Sequence, residues 1–350
     1  MIVMSKGVRR RSAGAAIAAS AMCMMATPAR AADLPATTID GTSGTMSASL
    51  DTLSAAEATA TAPAAWTLAD QPPAYGPGDP GTTGQPVVDP ASPDPARYRS
   101  FGARVGTVKW ELGGVLAYMT AYNAVKIKDV GLHSFRFSDE GFFGDGTFSG
   151  GMDKVNHAFN AYLLSDIFYH RIARKTGNAP GSAATAAALG FGIQFYSEFF
   201  DGIKNSSGWS WNDVGFNALG AGFSYLRNTT PGLKDKLDFR IEIKPNGRFY
   251  TFTGGEHYAQ QRFLLAVQLA GFPKLHDGPL RFVELHAGYY TKGFTAKERA
   301  RGDRRDQRPF IGIGLNLNEL LFRHAKSRAA RAASSVLDYV EVPYTSVRYY

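Results

Sequence analysis

Between Asp153 and Gly220, ionisable and amide side chains recur inside segments that are otherwise apolar and spaced like helices. They read Asp153-Lys154-x-x-His157, then Glu198-x-x-Asp201-Gly202, then Ser210-x-x-Asp213-x-x-x-Asn217-x-x-Gly220. A buried charge is costly unless it is paired or hydrogen-bonded. Three such groups on consecutive helices therefore have to meet, and the helices that carry them have to pack around one polar centre. The residues place that centre without stating its chemistry.

The surrounding pattern fills in the elements. Residues 106–128 are predicted to form a first helix, with Trp110, Leu112, Val115, Leu116, Met119 and Tyr122 at helical spacing. The stretch from His133 to Gly144 is rich in glycine and aromatics and reads as a packed loop. A second helix is expected from Asp153 to Arg174, with its acid at the N-terminus where negative charge is favoured. Gly177 and Pro180 end it and start a third, running through Phe200. Its Ala- and Gly-rich run from Ala183 to Tyr196 suits close helix–helix approach. A fourth helix begins at Ser210, where Ser210-Trp211-Asn212-Asp213 resembles a capping box.

After Pro231 the period changes to two. Leu237, Phe239, Ile241 and Ile243 alternate with Asp238, Arg240, Glu242 and Lys244. Strand-like runs follow at 263–272, 280–290 and 310–317, and with the extended C-terminal tail these make about five strands. A basic, Ala-rich helix is expected over Glu319 to Ala333, then an extended tail ending in Tyr349-Tyr350. Helices first and antiparallel strands second make an α+β arrangement: a four-helix bundle-like part over 100–231, then an antiparallel β part with a C-terminal helix over 232–350.

Upstream lies a different kind of chain. Lys6, Arg9, Arg10 and Arg11 precede a small and apolar run from Ala13 to Ala26, and Ala29-Arg30-Ala31 offers a cleavage site, so 1–31 is expected to be a signal peptide. The run is too short for a membrane span. Cys23, the single cysteine, follows Met22 rather than the small residue that lipid attachment needs. Residues 32–99, rich in Ala, Thr, Pro, Gly and Ser, hold too little apolar surface to offset ordering and are expected to be a disordered tether. The tether carries eight acids and two arginines, whereas 100–350 has a net charge of +9. In the periplasm such a basic surface points to a membrane surface or envelope lipids as partner, and not to nucleic acid.

The motifs in this order resemble the YfiM-like family of predicted periplasmic lipoproteins, a domain of unknown function. The likeness runs from about Trp110 to Tyr350 and includes Leu237-Asp238-Phe239-Arg240, Glu284-Leu285-His286-Ala287-Gly288-Tyr289-Tyr290 and Gly312-Ile313-Gly314-Leu315-Asn316-Leu317. A fainter likeness over 152–221 is to VanZ-like membrane proteins. The resemblance implies an envelope location, in the periplasm, and transfers no reaction. The alternating strands with aromatic ends at Tyr289, Tyr290, Tyr349 and Tyr350 are like those of outer-membrane proteins, but about five strands are fewer than the eight of a minimal barrel, so association with the outer membrane without spanning it is expected.

Three readings of the centre follow from its residues. It is structural if Asp213 caps a helix, Asp153 favours a helix start, and His157 and Asn217 satisfy each other. It holds a divalent metal ion if Asp153 and His157, at i and i+4, face Glu198 and Asp201, at i and i+3. It is catalytic if His157 acts as a general base oriented by Asp153 or Asp213, hydrolysing an envelope lipid or glycan. No Gly-x-Ser-x-Gly elbow, phosphate-binding loop or nucleophilic cysteine accompanies it, which places the structural or binding role first.

Overall fold

The first predicted helix is in fact two. Val108, with φ −120° and ψ 17°, leaves the helical region and separates α1 (Phe101–Thr107) from α2 (Lys109–Val130). Trp110, placed on the apolar face by spacing, is 75% exposed. The inward stripe of α2 is instead Glu111, Val115, Met119 and Asn123, at steps of four. The computed structural model describes residues 94–138, 141–244 and 256–350. The signal peptide, Cys23 and all but the last six residues of the tether lie outside them.

The next three helices keep close to their expected bounds. They are α3 (Met152–Thr176), α4 (Ser182–Ile203) and α5 (Trp211–Thr229). Gly177, at φ 63°, ends α3 in the left-handed conformation that glycine adopts freely. Ser210 caps α5 by accepting from the Asp213 backbone N–H at 3.3 Å. The reciprocal arm of the expected capping box is not made, because the Asp213 carboxylate is turned to Lys154.

Helix α3 is central. It runs antiparallel to α4, so that Ser165 meets Gly190 and His157 meets Glu198. It runs parallel to α5, so that Lys154 meets Asp213 and Asp166 meets Arg227. A Cβ on Gly220 would fall on the backbone carbonyl of Ala158. The glycine that closes the third motif is thus what allows α3 and α5 to touch.

Among the described residues the β part is one six-stranded sheet in the order β5-β1-β2-β3-β4-β6. Its strands are β1 (Leu237–Ile243), β2 (Gln261–Gln268), β3 (Val283–Lys292), β4 (Asp306–Leu315), β5 (Val340–Glu341) and β6 (Ser346–Tyr349). The ladders are antiparallel except β1–β5. Two short helices complete it, α6 (Ala296–Ala300) and α7 (Arg328–Leu337). The single helix expected over 319–333 is therefore a π-turn at Asn318–Phe322 followed by α7.

This sheet has to be rolled. Strands β5 and β6 lie on opposite edges, about 24 Å apart in a flat sheet at about 4.8 Å per strand. The four residues between Glu341 and Ser346 reach no more than about 18 Å. The roll is visible in a contact between the Arg348 guanidinium on β6 and the Glu242 carboxylate on β1, strands with three others between them.

Rolling gives each strand an outward and an inward side. On β1 and β2 the outward side carries Phe239, Ile241 and Phe263, which pack on Phe159 and Tyr162 of α3 to form the shared core. Beyond that contact the same outward side continues uncovered. Leu285, Ile311, Ile313 and Leu315 remain exposed, and Val347 and Tyr349 are 81% and 77% exposed. The inward side carries Asp238, Arg240, Glu242, Glu284, His286 and Glu341, all buried. The outward side is thus apolar where it is uncovered, and the inward side holds these charges together with a small apolar cluster of Leu264, Ala266 and Phe310. Among the described residues no helix is long and apolar enough to cross a membrane.

Candidate functional site

The three motifs do converge. Lys154 on α3 is 1% exposed, and its ammonium lies 2.8 Å from Asp153 Oδ2 and 2.7 Å from Asp213 Oδ1. The Ser149 hydroxyl donates to Asp153 Oδ1 at 2.5 Å and also accepts from the Asp153 backbone N–H, so this carboxylate is fully engaged at the helix start. Burial works against its charged form. The charge and hydrogen bond of Lys154 and the hydrogen bond from Ser149 together outweigh burial, and hold the Asp153 carboxyl below its ordinary range.

His157, one turn on, sits between α4 and α5. Its Nδ1 is 3.2 Å from Asn217 Oδ1 and 3.2 Å from Glu198 Oε1, and its Nε2 is 3.9 Å from Asp213 Oδ1. A proton on Nδ1 would serve both oxygens. Asp201 points elsewhere. Its carboxylate pairs with Lys204 and accepts from Ser207 Oγ at 3.1 Å, and Lys204 donates on to Asn123 Oδ1 of α2 at 3.1 Å. Of the six residues singled out by spacing, five form one cluster with Lys154, and Asp201 begins a second small network beside it.

What this arrangement can hold follows from its donors. Ligand atoms of His157, Glu198 and Asp213 lie within 4.8 Å of one another, a spacing at which three groups surround one cation. Asp213 stands in that set where spacing had suggested Asp153 and Asp201. The Lys154 ammonium already rests on Asp213, so the chain supplies a cation of its own at this carboxylate. His157 and Glu198 are 4% and 1% exposed, which keeps the imidazole from any substrate unless the helices part.

The sheet holds a second ionic cluster that spacing did not single out. Arg240 reaches Glu284 through two bonds of 2.8 and 3.1 Å, Asp238 at 2.6 Å and Glu341 at 3.1 Å. His286 Nε2 lies 3.3 Å from Glu284 Oε2. Asp238 also meets Arg227 of α5, which lies 3.3 Å from Asp166 of α3. Tyr339 donates to Asp166 at 2.7 Å. Burial alone would raise the Asp166 carboxyl, but Lys234, His170 and Arg227 hold it well below its ordinary value. The one available signal was Asp238, Arg240 and Glu242 on a single face of β1. That face has the alternation of a solvated side, and rolling buries it.

Asp338 stands at the rim of this cluster. Burial first, and then the Asp238 charge, push its carboxyl up to about 7. In the unfolded chain it ionises near pH 4. Between those values the folded state holds the extra proton, so this group makes stability fall as pH rises towards 7. Asn318 donates to Asp338 Oδ1 at 2.8 Å, an acceptor that asparagine retains. Asp338→Asn is expected to stabilise the protein by about 1–2 kcal/mol at pH 8 and little at pH 5. Thermal melts at the two pH values check this, and an equal shift at both would contradict it.

A family model described as Predicted periplasmic lipoprotein (DUF2279) matches residues 139–229. The match spans all three polar motifs, and the resemblance to that family holds over this segment. No curated protein and no solved structure matches the chain.

Proposed function

We propose that this chain is a periplasmic protein of the bacterial envelope that rests on the outer-membrane surface in a structural or ligand-binding role. The observation that carries the reading is the polarity of the sheet. Its uncovered outward strip, Leu285, Ile311, Ile313, Leu315, Val347 and Tyr349, is apolar, while the charges are buried inside. Soluble sheets that face water on one side place their polar residues there. The reverse arrangement is that of strands facing lipid. Among the described residues four of the six strands have seven or more residues, fewer than the eight of a minimal barrel, which supports a surface lying on the membrane.

A periplasmic location is supported by the description of the matching family and by the leader-like first 31 residues. The polar centre fits a structural role, since Lys154 is already the counter-ion of its carboxylates. Hydrolysis at His157 gains no support from an imidazole this deeply enclosed.

Ile311→Asp/Ile313→Asp tests the reading. Both side chains are more than half exposed, so the fold should survive, with a melting temperature close to that of the wild type. Losing two apolar anchors of about 1.5 kcal/mol or more each should weaken membrane association at least a hundredfold. Fractionation of cells should find the variant in the soluble periplasm and the wild type with membranes. A wild-type chain released completely by dilute buffer would defeat the proposal.

A further inference from the structure

We infer that the surface beneath this sheet is an anionic phospholipid leaflet, whose phosphates are met by cations at the two ends of the apolar strip; the inference rests on the membrane reading above. The strip is bounded along the strand direction. At one end β3 closes on Lys292 and β4 opens on Asp306, and their connection, 292–305, carries six cations against Glu298 and Asp303. Glu298 is buried in the capping box of α6, where it accepts from the Thr295 backbone at 3.1 Å. Asp303 is shared between Lys292 at 3.3 Å and Arg301 at 3.6 Å. The side chains of Lys297 and Arg304 are exposed and have no carboxylate partner among the described residues, the Glu256 carboxylate accepting only from the Lys297 backbone N–H at 3.2 Å.

The opposite end repeats the pattern. After β4, Leu320 and Leu321 are also exposed, and Lys326 and Arg328 follow, again exposed and without a carboxylate partner among the described residues. An apolar band with cations at both ends matches a leaflet lying along it, acyl chains under the band and phosphates under the ends. A protein partner would need acidic patches at both distances. A bilayer offers phosphates at every distance.

Flotation of the full chain with two kinds of vesicle tests this, one of phosphatidylcholine and one of equal parts phosphatidylcholine and phosphatidylglycerol. Lys297→Ala/Arg304→Ala should leave the melting temperature and the weak binding to neutral vesicles unchanged. Its binding to anionic vesicles should fall about thirtyfold at low salt, about 1 kcal/mol for each cation removed. The wild-type preference for anionic vesicles should also shrink as salt is raised. If the variant binds anionic vesicles as the wild type does, while Ile311→Asp/Ile313→Asp binds neither kind, the cations are not contacts and this inference fails alone. If the wild type binds neither kind, the membrane reading fails and takes the inference with it. A wild-type dimer in sedimentation equilibrium, abolished by Ile311→Asp/Ile313→Asp and accompanied by no vesicle binding, would assign the strip to a second copy of the chain and overturn both.

Discussion

Lys154→Met is expected to cost about 3–5 kcal/mol of folding stability, the range found when one partner of a buried ion pair is removed. The side chain is 1% exposed and its ammonium touches Asp153 and Asp213 at 2.8 and 2.7 Å. Methionine fills nearly the same volume, so the loss would come from two carboxylates left without their counter-ion and not from a cavity. Neutralising those carboxylates in the same background, as Lys154→Met/Asp153→Asn/Asp213→Asn, should return most of the loss. The pH dependence adds a second readout. With its folded value held below the ordinary range, Asp153 contributes stability that is present above pH about 4 and is lost as pH falls through the lowered value. Without Lys154 that acid-sensitive contribution should shrink. Urea unfolding of the three proteins checks the magnitudes, and a Lys154→Met variant within about 1 kcal/mol of wild type would show that the centre is not held by this ion pair.

The helical half of the fold was largely readable because its signals are local. Gly177 and Pro180 stop and restart helices wherever the rest of the chain lies, and Ser210 caps α5 through an atom three residues away. The convergence of the motifs followed from the cost of burying charge. Two things there were not local. Lys154 lies inside the first motif, yet spacing says which residues share a face and not which carboxylate an ammonium finds across a helix pair. Asp201, three residues before Lys204 at the helix boundary, could have turned either way, and it turned to Lys204 and Ser207.

The sheet shows where reading by period reaches its limit. Alternation in β1 and β4 assigns two faces to each strand, but it does not say which face meets water. That depends on the sheet rolling, which is imposed by the short link between β5 and β6, more than ninety residues after β1. On β1 both faces are buried, the apolar one under α3 and the charged one inside the roll. On β4 the apolar face is left outside. A chain read strand by strand therefore gives a conventional half-solvated sheet, and only the closure reverses it.

That reversal makes Arg240 the second residue whose loss should be severe. Its guanidinium is the common partner of Asp238, Glu284 and Glu341, with a two-pronged contact to Glu284. These acids come from β1, β3 and β5, so one cation ties together strands on both sides of β1. Arg240→Met should cost about 3–5 kcal/mol by leaving three buried carboxylates mutually repelling. Arg240→Lys keeps the charge but cannot form the paired bonds to Glu284 while reaching the other two, and should cost about half as much. An ionic core that merely solvated itself would rank the two variants together. A core that sets the roll separates them, and the Met variant should also release β5, seen as faster amide exchange at Val340 and Glu341 than in the Lys variant. Equal stability of the two variants in urea, with unchanged exchange at β5, would mean that the curvature is set by packing outside the roll, above all by Phe239 and Phe263 against α3.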